Sequence, residues 1–440
     1  MPRSPNRRRL APLTTALAFA SSAALTAAAA QAQTPETLVW IDVSTHSSGM
    51  PDMGAMAGLA GRMMGGANNE MRYPTARGNA GGGGQSGQYL DVALYNKLKP
   101  GVEAQLAIPD GLKLGKSLLL TPPPPPEPTP QTKGGTQKVP DIEITILEYW
   151  GCGDKVRAGQ PTTFKMKMSG GAMQTSGSMT PGKFVPDRDV DATPAYAVWP
   201  NKKDGRRVSN GALLAGSHRM TGNGVPESLK FDLGRNAEFM PKIALSTKGQ
   251  LTDAIAVNWQ TVDRARAYFV NAIAMQGQNT MVLWSSAESA GAGHGLQQYL
   301  TGSYIDRWLK EKVLLPPTAT SCTIPKGIFA SRDGAGAESG MGGMSMLSMI
   351  AYGPETHVVW PPRPAAAEEL KKWNAEWNVR IRTKSTAGAM LGMDFGGMGM
   401  DTDDSYGADA DTTDEEPAQE EGQKESKGKK FLKGILKKIN

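Results

Sequence analysis

The sequence predicts a mainly β protein, a sandwich of short strands that carries two helices. Eight short stretches of strand-like alternation lie between 140 and 387, and turn-rich sequence or helices separate them. Gly and Pro supply much of that turn-rich sequence, with 52 and 31 copies, and only 39% of the 440 residues are hydrophobic. Such a composition indicates folded blocks joined by segments that bury too little apolar surface to offset their ordering entropy.

The first 32 residues predict export. A basic start is followed by a moderately apolar run, and Ala-Gln-Ala at 30–32 provides a small-residue cleavage site, the pattern of a secretory signal peptide over 1–32. A membrane span is the alternative, but no stop-transfer charges follow the run. The arginines at 7–9 leave twin-arginine export open beside the general route. We expect the mature protein in the periplasm or cell envelope, without a later spanning helix.

Composition divides the mature chain into two β-rich parts. A small β module with a Gly/Met-rich insertion is expected over 33–121. The Pro/Gly-rich segment 122–139 contains PPPPPEPTP, which favours extended polyproline II and indicates a linker. A β-rich domain is expected over 140–387. Within it, SYIDRWLKEK from Ser303 and AAAEELKKWNAEW at 365–377 predict the two helices.

The stretch VNWQTVDRARAYFV, residues 257–270, is the most informative part of the β-rich domain. Alternation places Trp259 on the inner face of one strand and Tyr268 on that of the next, where two large rings would anchor a sandwich. Five positions match a pattern of bacterial fibronectin type III domains: Trp259, Val262, Ala265, Tyr268 and Val270.

Residues 240–300 therefore resemble a fibronectin type III or immunoglobulin-like domain, and the remainder resembles an exported bacterial protein. The resemblance implies a sandwich that serves as a binding or spacing module, with the two rings in its core. The sequence after this region departs from the family, because a Gly-rich turn and a helix replace the later strands.

Cys152 and Cys322 are the two cysteines of the chain. In an exported protein such a sparse, even count predicts one disulfide between them, and two buried free thiols are the alternative.

No familiar catalytic motif is present. The chain lacks G-x-S-x-G and H-E-x-x-H, and GLKLGKS at 111–117 is one residue too short for a phosphate-binding loop. The four histidines, His46, His218, His294 and His357, lie far apart in sequence. These features predict a protein that is not an enzyme and needs no cofactor, with no nucleic-acid partner. An enzyme whose site is assembled from distant residues stays as an alternative.

Methionine is unusually abundant, with 23 copies, many of them in three Gly-rich windows. Thioethers are soft and uncharged ligands, so they select Cu(I) or Ag(I). A Met-rich Cu(I)/Ag(I)-binding envelope protein is therefore an alternative function, and low-complexity filler is the competing interpretation. The third window begins at Met390. The candidate ligands, from the first two windows, are Met50, Met53, Met56, Met341, Met344, Met346 and Met349.

The C-terminal region is divided by charge. Gly/Met-rich and acidic sequence at 388–423 predicts disorder, with ten acids in 401–421, and 424–440 predicts a basic amphipathic helix. Such a helix should lie on an anionic membrane surface, with docking on the protein's own core or a free tail as alternatives. The surface-binding residues would be Lys429, Lys430, Phe431, Leu432, Lys433, Ile435, Leu436, Lys437, Lys438 and Ile439.

A second basic feature lies near the end of the β-rich domain. Alternation in NVRIRTKS places Arg380, Arg382 and Lys384 on one face of a strand. We expect this face to be solvated, and contact with an anionic envelope polymer is the alternative. Taken together, the sequence predicts an exported, non-enzymatic cell-envelope protein whose partner is an anionic surface or another envelope protein.

Overall fold

The chain is mainly β, as the sequence predicts. The computed structural model describes residues 35–48, 71–76, 86–125, 142–169, 172–177, 180–183, 185, 189–277, 279–330 and 345–392. The predicted signal peptide, most of the linker and the whole C-terminal segment from 393 lie outside these residues.

Seventeen strands form within the described residues. They are β1 Thr37–Ser48, β2 Gly87–Asn96, β3 Ala104–Ala107, β4 Ser117–Leu120, β5 Ile142–Trp150, β6 Thr162–Ser169, β7 Ala172–Gly177, β8 Tyr196–Trp199, β9 Gly216–Gly222, β10 Lys230–Leu233, β11 Leu245–Lys248, β12 Ile255–Trp259, β13 Ala267–Gln276, β14 Thr280–Ser285, β15 Ser321–Ile324, β16 Ser345–Trp360 and β17 Trp377–Met390. Two α-helices, α1 Gly302–Lys310 and α2 Ala367–Leu370, join them.

The strands form three sheets. The largest has ten strands in the order β7-β6-β5-β14-β13-β16-β17-β1-β2-β8, a second has the order β10-β9-β3-β4, and a third has the order β11-β12-β15. Two of the described pairs are parallel, β1 with β17 and β14 with β5. The two smaller sheets pack on one face of the large sheet, because the apolar side chains of β1, β2 and β17 meet those of β3, β4 and β9, while β13, β14 and β16 meet β12 and β15.

Trp259 and Tyr268 join two of these layers. Trp259 belongs to the three-stranded sheet and Tyr268 to the large sheet, and both are buried. Their ring centroids lie 5.7 Å apart in an edge-to-face arrangement, and the Tyr268 hydroxyl accepts a hydrogen bond of 2.8 Å from the backbone N–H of Val262. The predicted core role of the two rings is confirmed, and the sandwich description fits. The likeness to fibronectin type III domains stays a prediction.

The two β-rich parts of the chain share their sheets, which differs from the expected separate module over 33–121. β1 pairs with β17 along its whole length, from Thr37 opposite Trp377 to Ser48 opposite Gly388. β3 likewise pairs with β9. Strand alternation indicates which face of a strand is apolar, but it carries no information about the partner strand. The predicted linker therefore does not separate two independent cores.

The first helix forms where the sequence predicts it, and the second differs from expectation. α1 forms where SYIDRWLKEK predicts it, and the rings of Tyr304 and Trp308 lie 5.4 Å apart on one face. The predicted helix over 365–377 is only the single turn α2, none of whose residues is buried. A short helix with no surface to pack on gains too little to extend. Within the described ranges, neither helix is long and apolar enough to cross a membrane.

The predicted disulfide is present. Cys152, just after β5, is bonded to Cys322 in β15, with a Cα–Cα distance of 5.2 Å. The bond joins the large sheet to the three-stranded sheet, so it fastens the same two layers that Trp259 and Tyr268 connect.

Candidate functional site

The second face of the large sheet carries an open cleft. Part of this face is covered, because α1 and the segment 287–300 pack Leu296, Ile305 and Trp308 against β13 and β16. Beyond this cover, over β6, β5, β14 and β13, lies a cavity of about 710 Å³. That volume lies within the range of small-molecule sites, roughly 300–1,000 Å³.

The floor of the cleft is apolar, and no residue that the structure describes packs over it as part of a hydrophobic core. In strand register, Ile273 stands beside Leu283, and Met281 stands beside Ile146, which in turn faces Phe164. All five are half-buried, and none packs into the four hydrophobic cores that the described residues form. The floor spans four strands, about 14 Å at about 4.8 Å per strand. It is therefore an elongated apolar surface exposed to solvent.

Two segments form the wall of the cleft, 180–183 and 291–295. They are tied together by the backbone N–H of Lys183, which donates to the carbonyl of Gly291 at 2.7 Å. Gly291 has a positive φ of 82°, and a Cβ at this position would lie 2.5 Å from the carbonyl oxygen of Pro181. Only glycine fits both the backbone conformation and this close approach. The close contact between the two segments thus holds the wall at a fixed distance from the floor.

A few polar side chains stand among the apolar ones. Glu148 on the floor accepts hydrogen bonds from the Gly291 backbone N–H at 2.6 Å and from the Thr162 hydroxyl at 3.1 Å. The Asn271 side-chain oxygen accepts a hydrogen bond from the amide of Gln297. Lys183 is half-buried, and it forms no ion pair with any residue that the structure describes. The cleft is thus mainly apolar, and at its edge it carries the Lys183 ammonium, for which the described residues supply no ion-pair partner.

The same face of the large sheet carries a buried charged cluster over β1, β2 and β17. Arg382 donates to both carboxylate oxygens of Asp42, at 2.8 and 2.6 Å, and to Asp189 at 2.7 Å. Asp91 on β2 lies opposite Asp42 in register. Buried bidentate pairs of this kind depend on their geometry, because either partner alone would leave an uncompensated charge.

Lys384 is the unusual member of this cluster. Its side chain is fully buried, and its ammonium has no hydrogen-bond partner among the described residues. The Nζ atom lies 4.6 Å from the centroid of the Tyr299 ring, and the same ring lies 4.4 Å from the Arg382 guanidinium carbon. Burial lowers the pKa of Lys384 to about 8, against the opposing effect of the Asp42 charge.

Two further groups of the cluster have shifted pKa values. His46 lies 3.1 Å from the Ser44 hydroxyl and also contacts the Thr386 hydroxyl, and burial lowers its pKa to about 3, with the Lys384 charge acting in the same direction. Burial raises the pKa of Asp91 to about 6, although donors at Thr75 oppose the shift. The cluster combines an amine, an imidazole and carboxylates, and apart from the half-buried Asp189 these side chains are closed to solvent.

The predicted solvated face of Arg380, Arg382 and Lys384 is therefore wrong, because the three side chains are 7%, 4% and 0% exposed. The same alternation arises whether polar side chains face water or a buried charged layer. The partners that bury them, Asp42 and Asp91, lie some 290 to 340 residues earlier in the chain. No local pattern could have revealed that pairing.

The predicted soft-metal ligands are only partly described. Met346 is half-buried on β16, facing the cleft side of the sheet, whereas Met349 is buried in the core against the three-stranded sheet. Met50, Met53, Met56, Met341 and Met344 lie outside the described residues, as do the surface-binding residues 429–439. In the part of the chain that the structure describes, no group of three or more His, Cys, Asp or Glu residues is placed to hold a metal ion.

Sequence reasoning missed the cleft, although a signal for it exists. Ile146-Leu147 in β5 and Ala272-Ile273 in β13 are adjacent apolar pairs within strands. Such pairs put apolar side chains on both faces of a sheet. One face then packs on the smaller sheet, and the other needs a second cover or a ligand.

Comparison with known proteins gives no relative: no family model, no curated protein and no solved structure matches the chain.

Proposed function

We propose that the protein is an exported, non-enzymatic binding protein of the cell envelope that holds an elongated apolar ligand in the cleft. The observation that carries this proposal is the floor of five half-buried apolar side chains, which belong to none of the cores that the described residues form. Leaving such a surface in water costs free energy, about 25 cal/mol for each Å² that a ligand would cover. The immunoglobulin-like sandwich that the resemblance implies would then serve as the scaffold.

The shape and charge of the cleft define the ligand class. A floor about 14 Å long suits a ligand about the size of one acyl chain. Lys183 at the edge, without an ion-pair partner among the described residues, would favour an acidic end group on that chain. The Glu148 carboxylate is already satisfied by the Gly291 N–H and the Thr162 hydroxyl, so it does not require a cation from the ligand.

Filling the cleft should abolish binding. Leu283 stands at the centre of the floor, so Leu283→Trp places a large ring where the ligand would lie. We expect the full chain to enhance the fluorescence of N-phenyl-1-naphthylamine, laurate to displace the dye, and the variant to lose both effects. Lys165→Trp is the matched control, because it adds the same ring to the exposed opposite face of β6.

A second pair of variants tests the wall. Gly291→Ala forces a Cβ against Pro181, whereas Gly293→Ala, also at the cleft, meets nothing within 4 Å. Dye binding should fall in the first variant and persist in the second. Equal dye binding by wild type and Leu283→Trp would overturn the proposed site.

The proposal includes attachment to an anionic surface through residues 424–440. Support comes from the seven lysines and the apolar helical face of this segment. Each lysine near an anionic bilayer adds about 1 kcal/mol, screened by salt. Vesicles that contain phosphatidylglycerol should therefore bind the full chain and not a chain that lacks 424–440.

The acidic run supplies a further control for surface binding. Deletion of 401–421 removes ten acids that would mask the lysines, so vesicle binding should tighten. Binding by the chain without 424–440 at the wild-type level would contradict attachment through this segment. Export itself is supported by the disulfide, since such bonds persist in oxidising compartments.

A further inference from the structure

Four methionines lie close together in strand register, at one end of the sheet face that carries the cleft. Met275 on β13 lies directly opposite Met281 on β14, and Met346 on β16 lies directly opposite Met390 on β17. Met346 also pairs with Ile273, which places it diagonally next to Met275. Side chains two residues apart along a strand point to the same face, so all four methionines share the face that carries the cleft.

The spacing suits convergence of their sulfur atoms. Directly opposite residues of antiparallel strands have Cβ atoms roughly 4.5–5.5 Å apart, and diagonal neighbours roughly 7–8 Å. Methionine has three rotatable side-chain bonds and adapts its sulfur position easily. All four side chains are half-buried, so solvent and ions reach them while the sheet holds their backbone. Met275 occupies the central place between Met281 and Met346.

We propose that Met275, Met281 and Met346 form a binding site for one soft monovalent ion, Cu(I) or Ag(I). Uncharged thioethers favour soft ions and are poor ligands for Zn²⁺, Ca²⁺ or Mg²⁺, which take thiolate, imidazole or oxygen donors. Met390, opposite Met346, is the next sulfur within reach. The step is binding alone, without electron transfer, because the ion enters and leaves in the monovalent state.

Thiolates and three of the four imidazoles do not compete at this place within the described residues. Both cysteines are joined in the disulfide, so no thiolate is present there. The imidazoles of His46 and His218 are buried, and His357 lies towards the opposite end of β16.

The sequence supports the same location. Ser48 of β1 pairs with Gly388, two residues before Met390, and β16 begins at Ser345. In the sequence, the first and third Met-rich windows begin next to the ends of β1 and β17, and β16 begins within the second window. The first window lies about 270 residues before the second, and about 40 residues separate the second from the third. The strand register thus places Met346 of the second window and Met390 of the third near Met275 and Met281, which belong to neither window.

The site can be tested by Ag(I) titration of the full chain with ¹³C-methyl-labelled methionine. The methyl signals of Met275, Met281 and Met346, assigned by single Met→Leu variants, should shift together and saturate at the first equivalent of Ag(I). The triple variant Met275→Leu/Met281→Leu/Met346→Leu should lose this first equivalent, and its apolar volume is nearly conserved.

The matched control is Met166→Leu/Met168→Leu/Met173→Leu on the hairpin β6–β7. These three methionines also share one face, by the pairing of Met168 with Met173, but Met173 lies on the edge strand β7 and is 63% exposed, so their removal should leave the first equivalent unchanged. Near-ultraviolet circular dichroism checks that both triple variants keep the wild-type fold. The proposal would be overturned if the early Ag(I) shifts were confined to other methionines. It would also be overturned if the folded Met275/Met281/Met346 variant still bound the first equivalent of Ag(I).

Discussion

At the scale of single residues, the buried charges of β17 are the main departure from expectation. Arg382 and Lys384 have the alternation of a solvated strand, yet Asp42, Asp189 and the Tyr299 ring enclose them. The sequence could predict that these residues share a face, because a strand has a period of two. It could not predict burial, since the partners come from β1, from the segment before β8 and from the segment before α1.

Lys384 should make folding stability depend on alkaline pH. Its pKa is about 8 in the folded protein and near 10.5 in the unfolded chain, so between these values the unfolded chain binds more protons and stability rises with pH. From pH 7.5 to 9.5 the free energy of unfolding of the wild type should rise by about 2 kcal/mol relative to Lys384→Met. Urea unfolding at both pH values measures this difference. The exposed Lys371→Met should keep the wild-type slope, and parallel slopes for wild type and Lys384→Met would contradict the assignment.

At the scale of elements, strands were easier to predict than helices or partners. The alternation of β12 and β13 correctly places Trp259 and Tyr268 in the core, because one face of each strand must be apolar. The helix expected at 365–377 has its helix-forming residues but no packing surface, so one turn forms. The cleft floor could not be predicted for a related reason. The sequence pattern of an apolar side chain on a strand is the same whether that side chain faces a core or a ligand.

The disulfide between β15 and the end of β5 should contribute strongly to stability. It closes a separation of 170 residues, for which the chain-entropy account gives about 5 kcal/mol. Cys152→Ser/Cys322→Ser should therefore unfold at a clearly lower urea concentration than the wild type. Reduction of the wild type should shift its midpoint to that of the variant. A midpoint unchanged by either treatment would mean that the denatured chain keeps the two layers together.

At the scale of the whole molecule, the parallel pairing of β1 with β17 unites the two halves of the sequence. Val39 and Val379 lie side by side in the same hydrophobic core, and Asp42 pairs with Arg382 across the same two strands. Composition identifies a Pro-rich stretch between the two parts of the sequence, because composition is a local property. It gave no information on sheet order, which arises from contacts between distant strands.

The two halves should stay together after the linker is cut. A protease site inserted between residues 126 and 141 leaves β1–β4 on one fragment and β5–β17 on the other. We expect the fragments to elute together in gel filtration without denaturant and to separate in urea. The same cut in Ile41→Asp, which puts a charge into the shared core, should release the fragments. Separation of the unsubstituted fragments in buffer would show that each half folds by itself.

The β1–β17 pairing also sets an order of events for the newly made chain. β1 cannot pair with β17 until nearly 340 further residues have been synthesised. Such distant closure slows folding and leaves unpaired edges open to wrong partners. If the polypeptide is exported through a translocon as an extended chain, β1 crosses the membrane long before β17. A chaperone that binds unfolded chains on that side would protect β1 until β17 arrives.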